Sequence, residues 1–149
     1  MSDTITLLTL GPDDLDRLLG IKEGLFDNPI RPDQARAFLH EPNHILMLAY
    51  DGANAVGMAS GQIMLHPDKP PAFFIAEVGV RETHQRQGIA KRLCAALMTT
   101  ARARGCEGIW LATEADNVAA RALYTALNAR ETDDIVVYDW DGAMDGHPT

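Results

Sequence analysis

A chain of 149 residues, 46% of them apolar and with a formal net charge of −8, is long enough to bury a core as one domain, expected to span residues 1–149. That charge argues against nucleic acid or an anionic membrane as the main partner, and it suits a cationic substrate drawn in by acidic walls. Cys94 and Cys106 lack metal-ligand spacing, and the absence of a leader or a long apolar run predicts neither signal peptide nor membrane span, so reduced thiols in a cytoplasm fit best.

In chain order, Ile5 to Leu10 reads as a first strand, and Gly11-Pro12-Asp13-Asp14 turns into a helix with Leu15, Leu18 and Leu19 on one face. After the break at Asp27-Asn28-Pro29, Pro32 opens a second short helix carrying Ala35, Phe38 and Leu39. His44 to Tyr50 and Ala55 to Leu65 form a hairpin about the Asp51-Gly52 turn. A proline-rich loop from His66 to Pro71 leads into a strand from Ala72 to Val80, apolar except for Glu77. Ile89, Leu93 and Leu97 keep helical step in a long helix that ends at Gly105. Gly108 to Thr113 reads as a buried strand and Asn117 as the cap of a helix to Leu127, with Asn128 as its left-handed stop. Ile135 to Trp140 is expected to be a final strand, and Ala143 to Thr149 a frayed tail. An early hairpin followed by strand–helix–strand predicts a mixed α/β sheet, mostly antiparallel, with helices on both faces.

Two segments carry chemistry. Between the Ala72–Val80 strand and the long helix, Gln85, Arg86, Gln87, Gly88, Ile89 and Ala90 present successive backbone N–H groups at a helix start. Those donors lack intrahelical partners and lie at the positive end of the dipole, which makes the turn an anion site. Gly88 permits close approach of a ligand, and Arg86 can add charge. With one glycine and no Gly-Lys-Ser/Thr, the loop is neither a dinucleotide fingerprint nor a P-loop. In the second segment, Asn117 and Tyr124 are seven residues apart and share a helix side, with small residues such as Ala120 between them. Tyr124 taken alone also fits a half-buried aromatic with a satisfied hydroxyl.

Together the two segments resemble the GNAT N-acetyltransferase superfamily. Gln85-Arg86-Gln87-Gly88-Ile89-Ala90 is similar to its Gln/Arg-x-x-Gly-x-Gly/Ala pyrophosphate loop, and Asn117-x-x-Ala120-x-x-Leu123-Tyr124 to its second acetyl-CoA motif. The resemblance covers roughly residues 3 to 141 and departs at Asn128-Ala129, where the family usually has Gly-Phe. It implies the GNAT fold, with the central sheet splayed at a bulge, and acetyl-CoA as acyl donor without a metal. It further implies that the N–H groups of Val78 and Val80, flanking Gly79, meet the pantetheine and the thioester carbonyl. The pyrophosphate would sit on Gln87, Gly88, Ile89 and Ala90, with Gln85 and Arg86 nearby and Asn117 and Ala120 on the second motif. Tyr124 would protonate the departing thiolate.

The acceptor amine must lose a proton before attack, and Glu77 is the candidate base, its burial raising its pKa toward neutrality. A structural carboxylate paired with an arginine or a backbone donor fits the same residue. Glu114 and Asp116 could hold a cationic acceptor. His40, His44, His66, His84 and His147 show no ligand spacing, so no metal is assigned. The likeness is nearest to aminoglycoside 3-N-acetyltransferases, carried by Leu10-Gly11-Pro12-Asp13, Glu77, His84 to Ala90 and Ala122-Leu123-Tyr124-Thr125. The sequence leaves open other amines as acceptors, a non-catalytic acyl-CoA-binding module, and a homodimer paired through the last strand.

Overall fold

The computed structural model describes residues 4–145. Its contacts gather into two compact units, Met1–Leu111 and Ala112–Thr149. The first unit holds β1 (Ile5–Thr9), α1 (Leu15–Leu19), α2 (Pro32–His40), β2 (His44–Asp51), β3 (Asn54–Met64), β4 (Ala72–Val80), α3 (Ile89–Ala103) and β5 (Gly108–Trp110). Short 3-10 turns at Pro12–Asp14 and Glu82–His84 precede α1 and α3.

The strands lie in the order β1-β2-β3-β4-β5, antiparallel up to β4 and parallel between β4 and β5. The tight turn between β2 and β3 sets one antiparallel pair, whereas the crossover through α3 forces the parallel one. The mixed, mostly antiparallel sheet is therefore as the sequence predicts.

Side chains alternate along β2 and sort the core into two layers. Ile45, Met47 and Ala49 join Ile89, Leu93 and Leu97 of α3 on one face. Leu46 and Leu48 join Leu18 of α1 and Ala35 and Leu39 of α2 on the other. Phe73, Leu48, Leu93 and Leu97 are essentially without solvent contact, and each such side chain contributes roughly 1.5–3 kcal/mol of burial.

The β3–β4 ladder carries one irregularity. Ser60 pairs with Glu77 while Gly61 pairs with Ile75, so Ala76 is an extra residue on β4. Gly61 is obligatory here, because a side chain would overlap the Phe73 ring and lie 2.6 Å from the Phe74 carbonyl oxygen.

In the second unit, α4 (Val118–Ala126) is capped by Asn117, whose side-chain oxygen accepts from the Ala120 N–H at 3.1 Å. Asn128 closes it in the left-handed conformation (φ 67°), as its tolerance for that region predicts. Arg121 donates to the Ala115 carbonyl and to both oxygens of Glu131, tying the entry of α4 to the segment after it.

Two expectations need correction. Ile135 to Trp140 forms no strand, although its residue types favour one, because propensity without a partner edge does not make a ladder. The Gly108 strand stops at Trp110 rather than Thr113, its last pair being Phe74 with Trp110. Of the expected tail, residues 146–149 lie outside the described residues, and Ala143–Asp145 are in turn conformation with Asp145 N–H on the Gly142 carbonyl. No helix among the described residues is long and apolar enough to cross a membrane.

Candidate active site

The turn expected to bind an anion is built from backbone geometry. Arg86 and Gly88 are left-handed, with φ of 64° and 78°, and Gln87 between them is not. Alternating hands turn successive N–H groups toward one concavity, a nest suited to phosphate oxygens. Gly88 is also the cap residue of α3, so the nest opens onto the unpaired N–H groups of that helix. Among the described residues, its chain neighbours and helix backbone aside, no atom lies within 4 Å of where a Gly88 side chain would begin, which leaves the approach clear.

The base of the turn is pinned from three directions. The Gln85 side-chain amide donates to the Val80 carbonyl at 3.1 Å. Arg81 donates to the carbonyls of Ala55, Glu23 and Lys22 at 2.7–2.8 Å. His84 contacts Asp51 at 2.8 Å through Nε2 and the Thr83 hydroxyl through Nδ1. These residues were not singled out for this from the sequence; an arginine directly after a strand was the available signal.

β4 leaves an open edge beside this turn. Its pairing with β5 ends at Phe74, so residues 75–80 run on beyond it. The Arg81 N–H bonds Val56 of β3, and in-plane alternation gives the Gly79 N–H the same direction. The N–H groups of Val78 and Val80 consequently face the opposite, splayed edge, where two donors could polarise a carbonyl.

The bulge decides where Glu77 points. Phe73 and Ile75 face α3, and so do Val78 and Val80, an odd step that the extra Ala76 accounts for. Glu77 is thereby turned to the face of α1 and α2, where it lines a pocket of about 270 Å³ with Ser60, Phe26, Asp27, Arg31 and Phe38. Glu77 is exposed rather than buried, which corrects the expectation of a desolvated carboxylate. The strand is apolar in sequence, but the pocket admits solvent to its one acid. Ser60, directly across the ladder, was missed; a hydroxyl in an otherwise apolar strand was the same signal that singled out Glu77.

A larger cavity of about 480 Å³ lies by the β2–β3 turn, with Arg81 and His84 in its wall. Both already hold protein partners, so it offers less for an incoming anion than the nest does. In the second unit Tyr124 and Glu114 are half-buried and Asp116 exposed, and the Asn117 side-chain oxygen is engaged as a cap. Cys94 and Cys106 are free and buried; burial pushes the Cys94 thiol up to about 11, so neither offers a nucleophile to these sites.

A nest of backbone N–H groups at the start of α3 thus lies directly after a β4 whose pairing with β5 ends at Phe74. Residues 15–128 match the model of the acetyltransferase (GNAT) family, and the chain belongs to that family. It is an acetyltransferase with acetyl-CoA as co-substrate. The chain is 27% identical over 135 residues to an aminoglycoside N(6')-acetyltransferase type 1 of Serratia marcescens, covering 85% of this chain and 92% of that one. It also resembles in fold an aminoglycoside acetyltransferase from an uncultured soil metagenomic sample, solved with sisomicin (TM-score 0.80, 16% identity, 93% of this chain and 97% of that). A further likeness is to AAC(6')-Iy in complex with the bisubstrate analogue CoA-S-monomethyl-acetylneamine (TM-score 0.77, 20% identity, 91% and 97%).

Proposed function

We propose that the chain acetylates a primary amine of an aminoglycoside, by direct attack of the amine on acetyl-CoA in a ternary complex. The observation that carries this reading is the Glu77 carboxylate, turned by the bulge into a pocket beside the open edge of β4. The net charge of −8 suits a polycation, and the Serratia marcescens relative and the sisomicin-bound neighbour are aminoglycoside enzymes. The sequence motifs resemble most nearly those of 3-N enzymes. Nothing in the comparisons supports that position, and the curated relative acts at 6', so the 6'-amine is the position proposed.

In this mechanism the nest at Gln87, Gly88, Ile89 and Ala90, with Gln85 and Arg86 beside it, holds the pyrophosphate. Asn117 and Ala120 contribute from the second motif. The N–H groups of Val78 and Val80, with Gly79 between them, bind the thioester oxygen as it becomes an oxyanion, and one such donor contributes about 3–4 kcal/mol. Glu77 takes a proton from the ammonium, the amine attacks, and Tyr124 protonates the leaving thiolate. Glu114 and Asp116 attract further ammonium groups of the acceptor. Replacing Tyr124 by Phe should lower turnover by about 10²-fold, the low end for a general acid, with acetyl-CoA affinity retained.

The test is coenzyme A release from acetyl-CoA in the presence of aminoglycosides with and without a free 6'-amine, polyamines and peptides, with NMR assignment of the product. Release confined to 6'-amino compounds supports the reading. Release only with 3-amino compounds restores the other position, peptides alone would reject the substrate class, and binding of acetyl-CoA without release on any amine indicates a binding module.

We also infer that the chain forms a homodimer through the segment from Ile135 to Trp140. Ile135, Val136, Val137, Tyr138 and Trp140 are each at least 60% exposed, a run that water disfavours. The segment is strand-prone, and among the described residues β5 ends the sheet order, so a second copy offers a matching edge. Sedimentation should give twice the chain mass, reduced to the monomer by Val136→Lys with Trp140→Asp; a wild-type monomer at all concentrations rejects it.

A further inference from the structure

Ser60 is the one buried polar side chain among the described residues, at 7% exposure. Its hydroxyl makes no hydrogen bond to any described residue, and it lines the pocket that holds Glu77. No buried side-chain atom among the described residues is left unsatisfied, so this hydroxyl keeps some access, and the pocket gives it that access. A hydroxyl held in an apolar wall without a partner costs roughly 1–3 kcal/mol unless solvent or a ligand completes it. Here the surrounding wall is Leu18, Leu46 and Phe38, with Asp27 and Arg31 as the other charged groups of the pocket besides Glu77.

We propose that Ser60 is a further catalytic residue, whose hydroxyl receives the acceptor's reacting amine and links it to Glu77. The inference rests on the proposed amine acetylation. Ser60 and Glu77 are direct cross-strand partners, a relation that puts β-carbons roughly 4.5–5.5 Å apart, close enough for the two side chains to meet once an amine is bound between them. The acceptor ammonium gives a proton to Ser60 Oγ as Ser60 passes its own hydroxyl proton to the Glu77 carboxylate. The freed nitrogen lone pair forms the C–N bond at the thioester carbonyl, the C–S bond breaks, and the nitrogen's second proton ends on the thiol. Glu77 releases the first proton to solvent, so one ammonium and one thioester give one amide, one thiol and one proton. Ser60 emerges unchanged.

The experiment compares wild type, Ser60→Ala, Glu77→Gln and the double variant, with a 6'-amino aminoglycoside as acceptor. Ser60→Ala should lower kcat/KM for the acceptor by about ten- to 150-fold, the loss of one hydrogen bond to a charged group, and leave acetyl-CoA binding unchanged. Because the hydroxyl holds no partner among the described residues, the thermal midpoint should be equal or higher. In the Glu77→Gln background the Ser60 change should cost little more, since both act on one proton. Equal kcat/KM for wild type and Ser60→Ala overturns the inference and leaves the acceptor reading standing. So do fully additive losses, or a loss that tracks a lowered midpoint. A wild type that acetylates no amine removes the acceptor reading, and this inference with it.

Discussion

The turn proposed to bind phosphate and the pocket proposed to take the acceptor lie in the same unit of the molecule and are built on opposite plans. The turn is contiguous, from Gln85 to Ala90, and acts through backbone N–H groups fixed by the left-handed Arg86 and Gly88. The pocket draws Ser60 from β3, Glu77 from β4 and Asp27 and Phe38 from the α1–α2 region, and acts through side chains. A site of backbone donors tolerates exchange of side chains but not of backbone conformation. A site of side chains does the reverse, and can change its substrate without disturbing the cofactor. On the proposed reading, the two halves of the reaction should therefore be separable by mutation.

The largest expected effect tests the pocket. Glu77→Gln keeps shape and removes the base, so turnover should fall by about 10²-fold or more at neutral pH and recover in part as rising pH deprotonates the amine unaided. Coenzyme A binding by calorimetry should be unchanged, and a matching loss there would break the separation. Next is the turn: Gly88→Val places a β-branched residue at φ 78°, which costs about 1–2 kcal/mol, and fills the clear approach above the nest. Acetyl-CoA affinity should drop by about tenfold or more, whereas Arg86→Gly, which keeps the left-handed backbone, should cost less. Equal losses would show that charge rather than conformation binds the phosphates.

A smaller effect joins fold to pocket. Gly61→Ala would press on Phe73 and the Phe74 carbonyl at the bulge, costing about 1–3 kcal/mol of stability. Thermal unfolding should report that loss, and acceptor KM should rise because the bulge aims Glu77; an unchanged KM would show that the bulge is not what aims the carboxylate. The smallest effect lies in the other unit. The Arg121 hydrogen bond, then its charge, holds the Glu131 carboxyl below its usual range. A depressed carboxyl contributes stability above its unfolded pKa of about 4.3, and that contribution fades as pH falls through the lower folded value. The wild-type and Arg121→Gln midpoints should differ slightly near neutrality and converge in acid; because the pair is exposed, a large difference would contradict its solvent screening.

What the sequence determined by itself is what local chemistry controls. The β4 and α2 starts, the Gly105 and Asn128 stops, the Asn117 cap and the turn into α3 at Gly88 all follow from residues within a few positions of each other. Glu77 was legible as the one acid in an apolar strand, but the face it takes was not. That depends on the extra Ala76, whose presence is set by how β4 registers against β3 at Gly61, in the preceding strand. The tertiary structure alone also exposed Glu77, where the strand's composition predicted burial, and matched it with Ser60. It left Ile135 to Trp140 without a ladder for the same reason: a strand is a relation between two segments, and propensity describes only one of them.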